Sequence, residues 1–288
     1  MASMREIKRR KESIQNTGQI TAAMKVVSTA KLQKAKGRVE ASKPYFQHMY
    51  DAMYSILAKS SNISHPYLQK NSSKKKAVIV ITSNRGLAGG YNNNVVKLLT
   101  QGAHKKEDIL VYAVGRKGRD SLRRAGFEIK ADYSEVMNEP MFSDAIEIGR
   151  AVLDAFSNEE VGEIYLAYTV FKNTITQIPT LMQLLPVAVT PKEETEKPSI
   201  EDLVLMNYEP EPEEVLDQII PKYVNSLIYG ALCEAVASEN GARMQAMDSA
   251  SNNAQDMIAD LSLKYNRARQ ASITQELTEI VAGASAIE

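Results

Sequence analysis

The sequence predicts an α/β fold in which a Rossmann-like domain of about five mostly parallel strands is inserted into a long antiparallel coiled coil made by the chain's own ends. Three observations predict it. Small and apolar residues recur at helical spacing through roughly the first 60 and the last 75 residues, and strands alternate with helices in between. Each terminal helix is also too long to bury its stripe against a domain only roughly 25 to 30 Å across, so each needs the other.

The amino-terminal signal runs from Met4 to about Lys59, with Pro44 as its single proline. Ile14, Thr17, Thr21, Met24 and Ser28 recur at helical spacing, flanked by Ile20, Ala23 and Val27. A continuous helix here spans roughly 80 Å at about 1.5 Å per residue. Pro44 is expected to bend it or mark a joint.

From Lys74 onward the pattern changes. Strands are expected at 77–82, 109–114, 127–132 and 163–170, and helices at 92–100, 116–124 and 142–156. Strand, turn, amphipathic helix and strand is the unit of a parallel sheet covered on both faces. The stretch 175–187 adds an edge strand, where Pro179 and Pro186 are tolerated. Residues 191–210 form an acidic, exposed loop.

A last helix begins near Pro212, whose ring suits a first turn, with glutamates favouring the positive end of the helix dipole. Pro221 is expected to kink it. Met244, Met247, Ser251, Ala254, Ile258, Leu261, Tyr265, Ala268 and Ser272 step alternately by three and four, a heptad seam. The seam is rich in Ala, Ser and Met, which allows close approach but buries less apolar area than Leu. The expected divisions are 1–60, 74–190, 191–210 and 211–288. The two ends should project together past the inserted domain, the carboxy-terminal helix reaching furthest.

Charge is balanced at 35 basic and 35 acidic residues, yet unevenly spread. Met1–Lys43 holds eleven Lys/Arg against three Asp/Glu, and Val187–Asp217 holds two Lys against ten Asp/Glu. Basic and acidic work are therefore expected at different places. The single cysteine, Cys233, excludes an internal disulfide and reads as a packed small hydrophobe. The opening "MASMREIKRRKES" is too charged for a signal-peptide core, and apolar runs of about six residues fall short of a membrane span.

Chemistry-bearing motifs are scarce. "SNRGLAGGYN" (83–92) follows a strand and opens a helix, the setting of a phosphate-cradling turn, but it matches neither the dinucleotide nor the mononucleotide glycine pattern. Tight turning is the better reading. "GRKGRD" (115–120) reads as a solvated turn and "NSSKKKA" (71–77) as a solvated linker. His48, His65 and His104 fall in separate segments, and His48 has a carboxylate, Asp51, one helical turn away. No metal, cofactor or catalytic set is expected. The basic amino-terminal helix lacks aromatic interleaving before Tyr45 and no reader module follows, so nucleic acid is not an expected partner. The helix tip Ile280-Val281-Ala282-Gly283-Ala284 is small and apolar and is expected to insert into a partner.

Three blocks carry a resemblance: "REIKRRKESIQNTGQITAAMKVVSTAKLQKAK" (5–36), "SNRGLAGGYN" (83–92) and "ARMQAMDSASNNAQDMIADLSLKYNRARQASITQELTEIVAGA" (242–284). Together they resemble the gamma subunit of the rotary ATP synthase, the central rotor shaft. The closing pattern of Ile273, Thr274, Glu276, Glu279, Ile280, Gly283 and Ala284 is the most specific part. The resemblance implies a non-catalytic shaft, one copy per complex, turning inside a hexamer of alpha and beta subunits. It also implies a foot on epsilon and the c-ring, with delta, a and b completing a proton-translocating assembly. Arg269, Gln270, Thr274 and Glu276 resemble the polar cluster of the upper shaft that meets mobile alpha and beta loops. Met24 and Lys25 resemble the segment facing an acidic loop of beta. Tyr208 and Glu209 resemble the ring-contacting segment. Asn84 and Ala88 stand where the family usually has Asp and Cys, and the chloroplast-type cysteine pair has no counterpart. The hallmark begins almost at Met1, which points to a bacterial protein held peripherally on the cytoplasmic face of the plasma membrane. The rival readings are a passive coiled-coil scaffold and an α/β nucleotide-binding enzyme.

Overall fold

The computed structural model describes residues 4–59, 65–102, 105–187 and 212–285. His104 and the acidic loop expected at 191–210 lie outside them. The chain divides into two compact units, Ala30–Ala242 and Met1–Thr29 with Arg243–Glu288, so the division falls inside both long helices. These are α1 (Met4–Lys59) and α5 (Pro212–Ser285). Helix α1 runs through Pro44 and α5 through Pro221. Pro44 and Glu40 are both exposed, so water can satisfy the carbonyl that the proline leaves without a donor.

The larger unit is built on a five-stranded sheet. Its strands are β1 (Lys76–Ile81), β2 (Ile109–Val114), β3 (Glu128–Asp132), β4 (Glu163–Phe171) and β5 (Gln177–Leu185). Helices α2 (Tyr91–Thr100), α3 (Arg116–Arg124) and α4 (Phe142–Ser157) make the connections. The spatial order is β3-β2-β1-β4-β5, with β1 to β4 parallel and β5 antiparallel on the edge beside β4. Pro179 is thus on an edge strand, where a missing N–H is tolerated.

Side chains alternate across the pleat, and each face has its own core. Ala77, Ile79 and Ile81 of β1 join Ile148 and Val152 of α4 and Leu216, Ile220, Val224 and Ile228 of α5. Val78 and Val80 point the other way, to Val95 and Leu99 of α2 and Leu122 of α3. The central strands β1 and β2 are buried on both faces, which is why they read as unbroken apolar runs. The second half of α1 packs on this unit as well. Tyr45 meets Phe142 and Phe142 meets Tyr229 edge-on, and a side chain at Gly230 would collide with the Phe46 ring.

Candidate interaction surfaces

In the smaller unit α1 and α5 pair antiparallel. The Lys25 ammonium donates to the Asp248 carboxylate at 2.6 Å, and a Cβ on Gly18 would lie 3.3 Å from Ala254 Cβ. Ile7 and Ile14 share a groove with Met257 and Leu261. Rising numbers on α1 thus meet falling numbers on α5. From residue 244 to 272 every seam position expected from sequence is withdrawn from solvent, and Met247, Ala254 and Leu261 are buried.

On α1 the seam differs from the expectation. Gly18, not Thr17, faces α5, and Thr17 is exposed. The reason is volume, since a seam opposite Ala254 admits a glycine where a threonine would push the helices apart. Ile20 and Val27 are then left exposed at 61% and 56%, with Ala23 between them also exposed. Spaced by three and four, they form a second apolar face that sequence reading had placed on the flank of the seam.

Among the described residues, the pairing with α1 ends past Ser272. Every side chain from Ile273 to Gly283 is exposed, including Ile273, Leu277, Ile280 and Val281 along one stripe. Arg269, Gln270, Thr274 and Glu276 are all exposed here. The Thr274 hydroxyl donates to Gln270 O at 2.9 Å, which places these two together. Arg269 and Glu276 share a face two turns apart, roughly 10 Å along the axis. The Ser272 hydroxyl donates to Glu276 at 3.4 Å. The four residues form two short rows on a bare helix, open to an outside partner. Met24 and Lys25 are half-buried, and Lys25 is engaged by Asp248, an interhelical tie that sequence spacing could not reveal across 223 residues. Tyr208 and Glu209 lie outside the described residues.

The glycine block is a closed turn. Leu87 and Gly89 take positive φ of 63° and 54°. Asn92 locks the turn, its carbonyl accepting from Ser83 N at 2.9 Å and its amide donating to Ser83 Oγ at 2.8 Å. Asn84 accepts from Arg116 N at 3.0 Å and donates to Ser134 O at 2.7 Å. The N–H groups of Ser83 and Arg116 therefore already have side-chain partners. Doubly wound sheets bind ligands at the carboxyl ends of strands where the winding reverses, here between β1 and β4. That place holds α5. The Tyr91 hydroxyl donates to Ala235 O at 3.1 Å, Ser238 donates to Thr169 O at 3.1 Å, and Phe171 N donates to Glu234 at 3.3 Å.

Of the histidines, His48 is exposed, and Asp51 accepts from Gln47 at 3.0 Å. His65 is buried, its Nδ1 accepting from Tyr67 N and its Nε2 lying 3.0 Å from Asp217. This contact spans 152 residues and was invisible to sequence spacing. Burial raises the Cys233 thiol pKa, despite a hydrogen bond with Tyr229. No helix among the described residues is long and apolar enough to cross a membrane.

The ATP synthase family model matches residues 3–287. The ATP synthase gamma chain of Lachnoclostridium phytofermentans is 69% identical over 290 residues, covering 100% of both chains. The chain belongs to the ATP synthase gamma-chain family. Another gamma chain, from Acetobacterium woodii and described as sodium ion specific, is 43% identical over 298 residues and 99% of each chain. The fold is shared with the rotor of Euglena gracilis mitochondrial ATP synthase, with a TM-score of 0.67 at 18% identity over 94% of this chain and 98% of that one. In this gamma chain the glycine block is a turn that orders the β1–α2 connection, and α5 is exposed from Ile273 to Gly283.

Proposed function

We propose that this gamma chain is the non-catalytic central-stalk rotor of a bacterial ATP synthase, one copy per complex. It would sit on the cytoplasmic face of the plasma membrane by way of its partners. The observation that carries the reading is the exposed apolar stripe of Ile273, Leu277 and Ile280 on α5, set on a chain of the gamma family. A bare apolar stripe favours burial in a partner. The partner proposed is the hexamer of alpha and beta subunits, with epsilon and the c-ring at the α/β unit and delta, a and b completing the complex. Each beta site would be forced through successive conformations because the off-axis shaft contacts the three differently, a population shift driven by differential contact. Arg269, Gln270, Thr274 and Glu276 would make charge-assisted hydrogen bonds at some rotary angles and not others. Met24 would face beta beside the outward stripe of Ile20, Ala23 and Val27, and Lys25 would do so while tied to Asp248. Tyr208 and Glu209 are proposed for the ring contact. The coupling ion would bind the ring and not this chain, so the reading is the same for protons or sodium ions.

The occupied sheet crevice disfavours an α/β nucleotide-binding enzyme, and a passive scaffold leaves hydrolysis unchanged. Reconstitution tests all three. The purified chain mixed with alpha and beta subunits should co-elute at one copy per hexamer and stimulate Mg-ATP hydrolysis. Deleting residues from Arg269 onward should abolish the stimulation. Arg269→Ala should weaken hexamer binding roughly 10- to 100-fold, as expected for a lost hydrogen bond to a charged group. Separate elution with an unchanged rate would overturn the rotor reading.

A further inference from the structure

The apolar face of α5, from Leu216 to Ala235, lies against the sheet core. Such a face resists separation, and it resists turning because rotation would carry Leu216, Ile220, Val224 and Ile228 toward water. The stretch of α5 just before the chain leaves the α/β unit is different. Tyr91 of α2, Thr169 and Phe171 at the end of β4 grip it through the bonds to Ala235, Ser238 and Glu234. At 3.6 residues per turn, residues 234, 238 and 235 span an arc of about 100°, and their partners come from two separate elements. Ala235 and Ser238 are fully buried and Tyr91 is nearly so. Turning α5 would leave these polar groups without partners and without water, the costly way to lose a hydrogen bond.

We infer that this three-bond collar is a torque grip, fixing α5 against rotation on the sheet so that twist in the helix enters the α/β unit instead of being lost as slip. The inference rests on the rotor reading. Tyr91, Ser238 and Glu234 are positioning residues in it, and none touches a reacting atom.

The test uses the complete ATP synthase containing this chain, reconstituted into vesicles, with ATP-driven ion uptake and ATP hydrolysis measured together against an opposing gradient. Tyr91→Phe with Ser238→Ala removes two hydroxyls and little volume. In this double variant hydrolysis should persist while ions moved per ATP fall roughly twofold or more, as expected when two hydrogen bonds of a shared grip are lost. Glu234→Gln keeps an acceptor for Phe171 N and should retain the ratio, whereas Glu234→Leu should lower it. An unchanged ratio in assembled double-variant complexes would overturn the grip, and so would a proportional fall of uptake and hydrolysis with complex yield, which marks a folding role only. Failure of the rotor reading itself is distinguishable, because the unsubstituted complex would then show no dependence of uptake on this chain.

Discussion

Glu163 sits where three donors converge: Lys70 at 2.7 Å, Lys76 at 2.8 Å and the Tyr165 hydroxyl at 3.0 Å. Burial alone would raise its pKa, but these hydrogen bonds and the Lys76 charge outweigh burial and hold it at about 2. The unfolded carboxyl titrates near about 4.3. A depressed folded pKa contributes stability that is complete above the unfolded value and is lost as pH falls through the folded one. Glu163→Gln should therefore flatten the pH dependence of stability between about 4.3 and 2, leaving a smaller unfolding free-energy difference between pH 6 and pH 2 in urea titrations. An equally steep acid limb would show that the cluster is not the acid-labile element. Gly115 makes the second residue-scale case. Its φ of 111° suits glycine alone, and a Cβ there would collide with Thr82 O. Gly115→Ala should lower stability by about 2–5 kcal/mol, strain and overpacking together, read by thermal unfolding.

The paired helices of the smaller unit depend on close approach more than on apolar bulk. Gly18→Ala gains helix propensity of about 1 kcal/mol and meets Ala254 Cβ at 3.3 Å, so it should be nearly neutral. Gly18→Leu should cost about 1–3 kcal/mol by forcing the helices apart, seen as early loss of helical signal on heating. A melting curve insensitive to Leu at this position would place Gly18 outside the seam. Heptad spacing on α5 was legible because small and apolar residues recur every three and four positions, and each of those positions is withdrawn from solvent. The α1 face was less legible, since Thr17 and Gly18 are both small and periodicity does not rank volumes. The sheet strands were legible for a different reason. Both faces of β1 and β2 are buried, which leaves nearly unbroken apolar runs rich in Val and Ile.

At the scale of the whole molecule, what the sequence by itself determined was the type and order of the elements, the edge position of the strand holding Pro179, the heptad stripe on α5, and, through three blocks of residues, the family. All of these are set by local period, local backbone restriction or residue identity, and none needs a partner's position. Only the tertiary structure decided which distant residues meet. Lys25 with Asp248, His65 with Asp217, and the Tyr91, Thr169 and Phe171 contacts to α5 each join residues at least 60 apart in sequence. A single long helix carries no mark of where its neighbours will touch it. That is also why the filling of the sheet crevice by α5 could not be read beforehand: the glycine turn, the crevice and the helix that closes it lie in three separate segments, and packing alone brings them together.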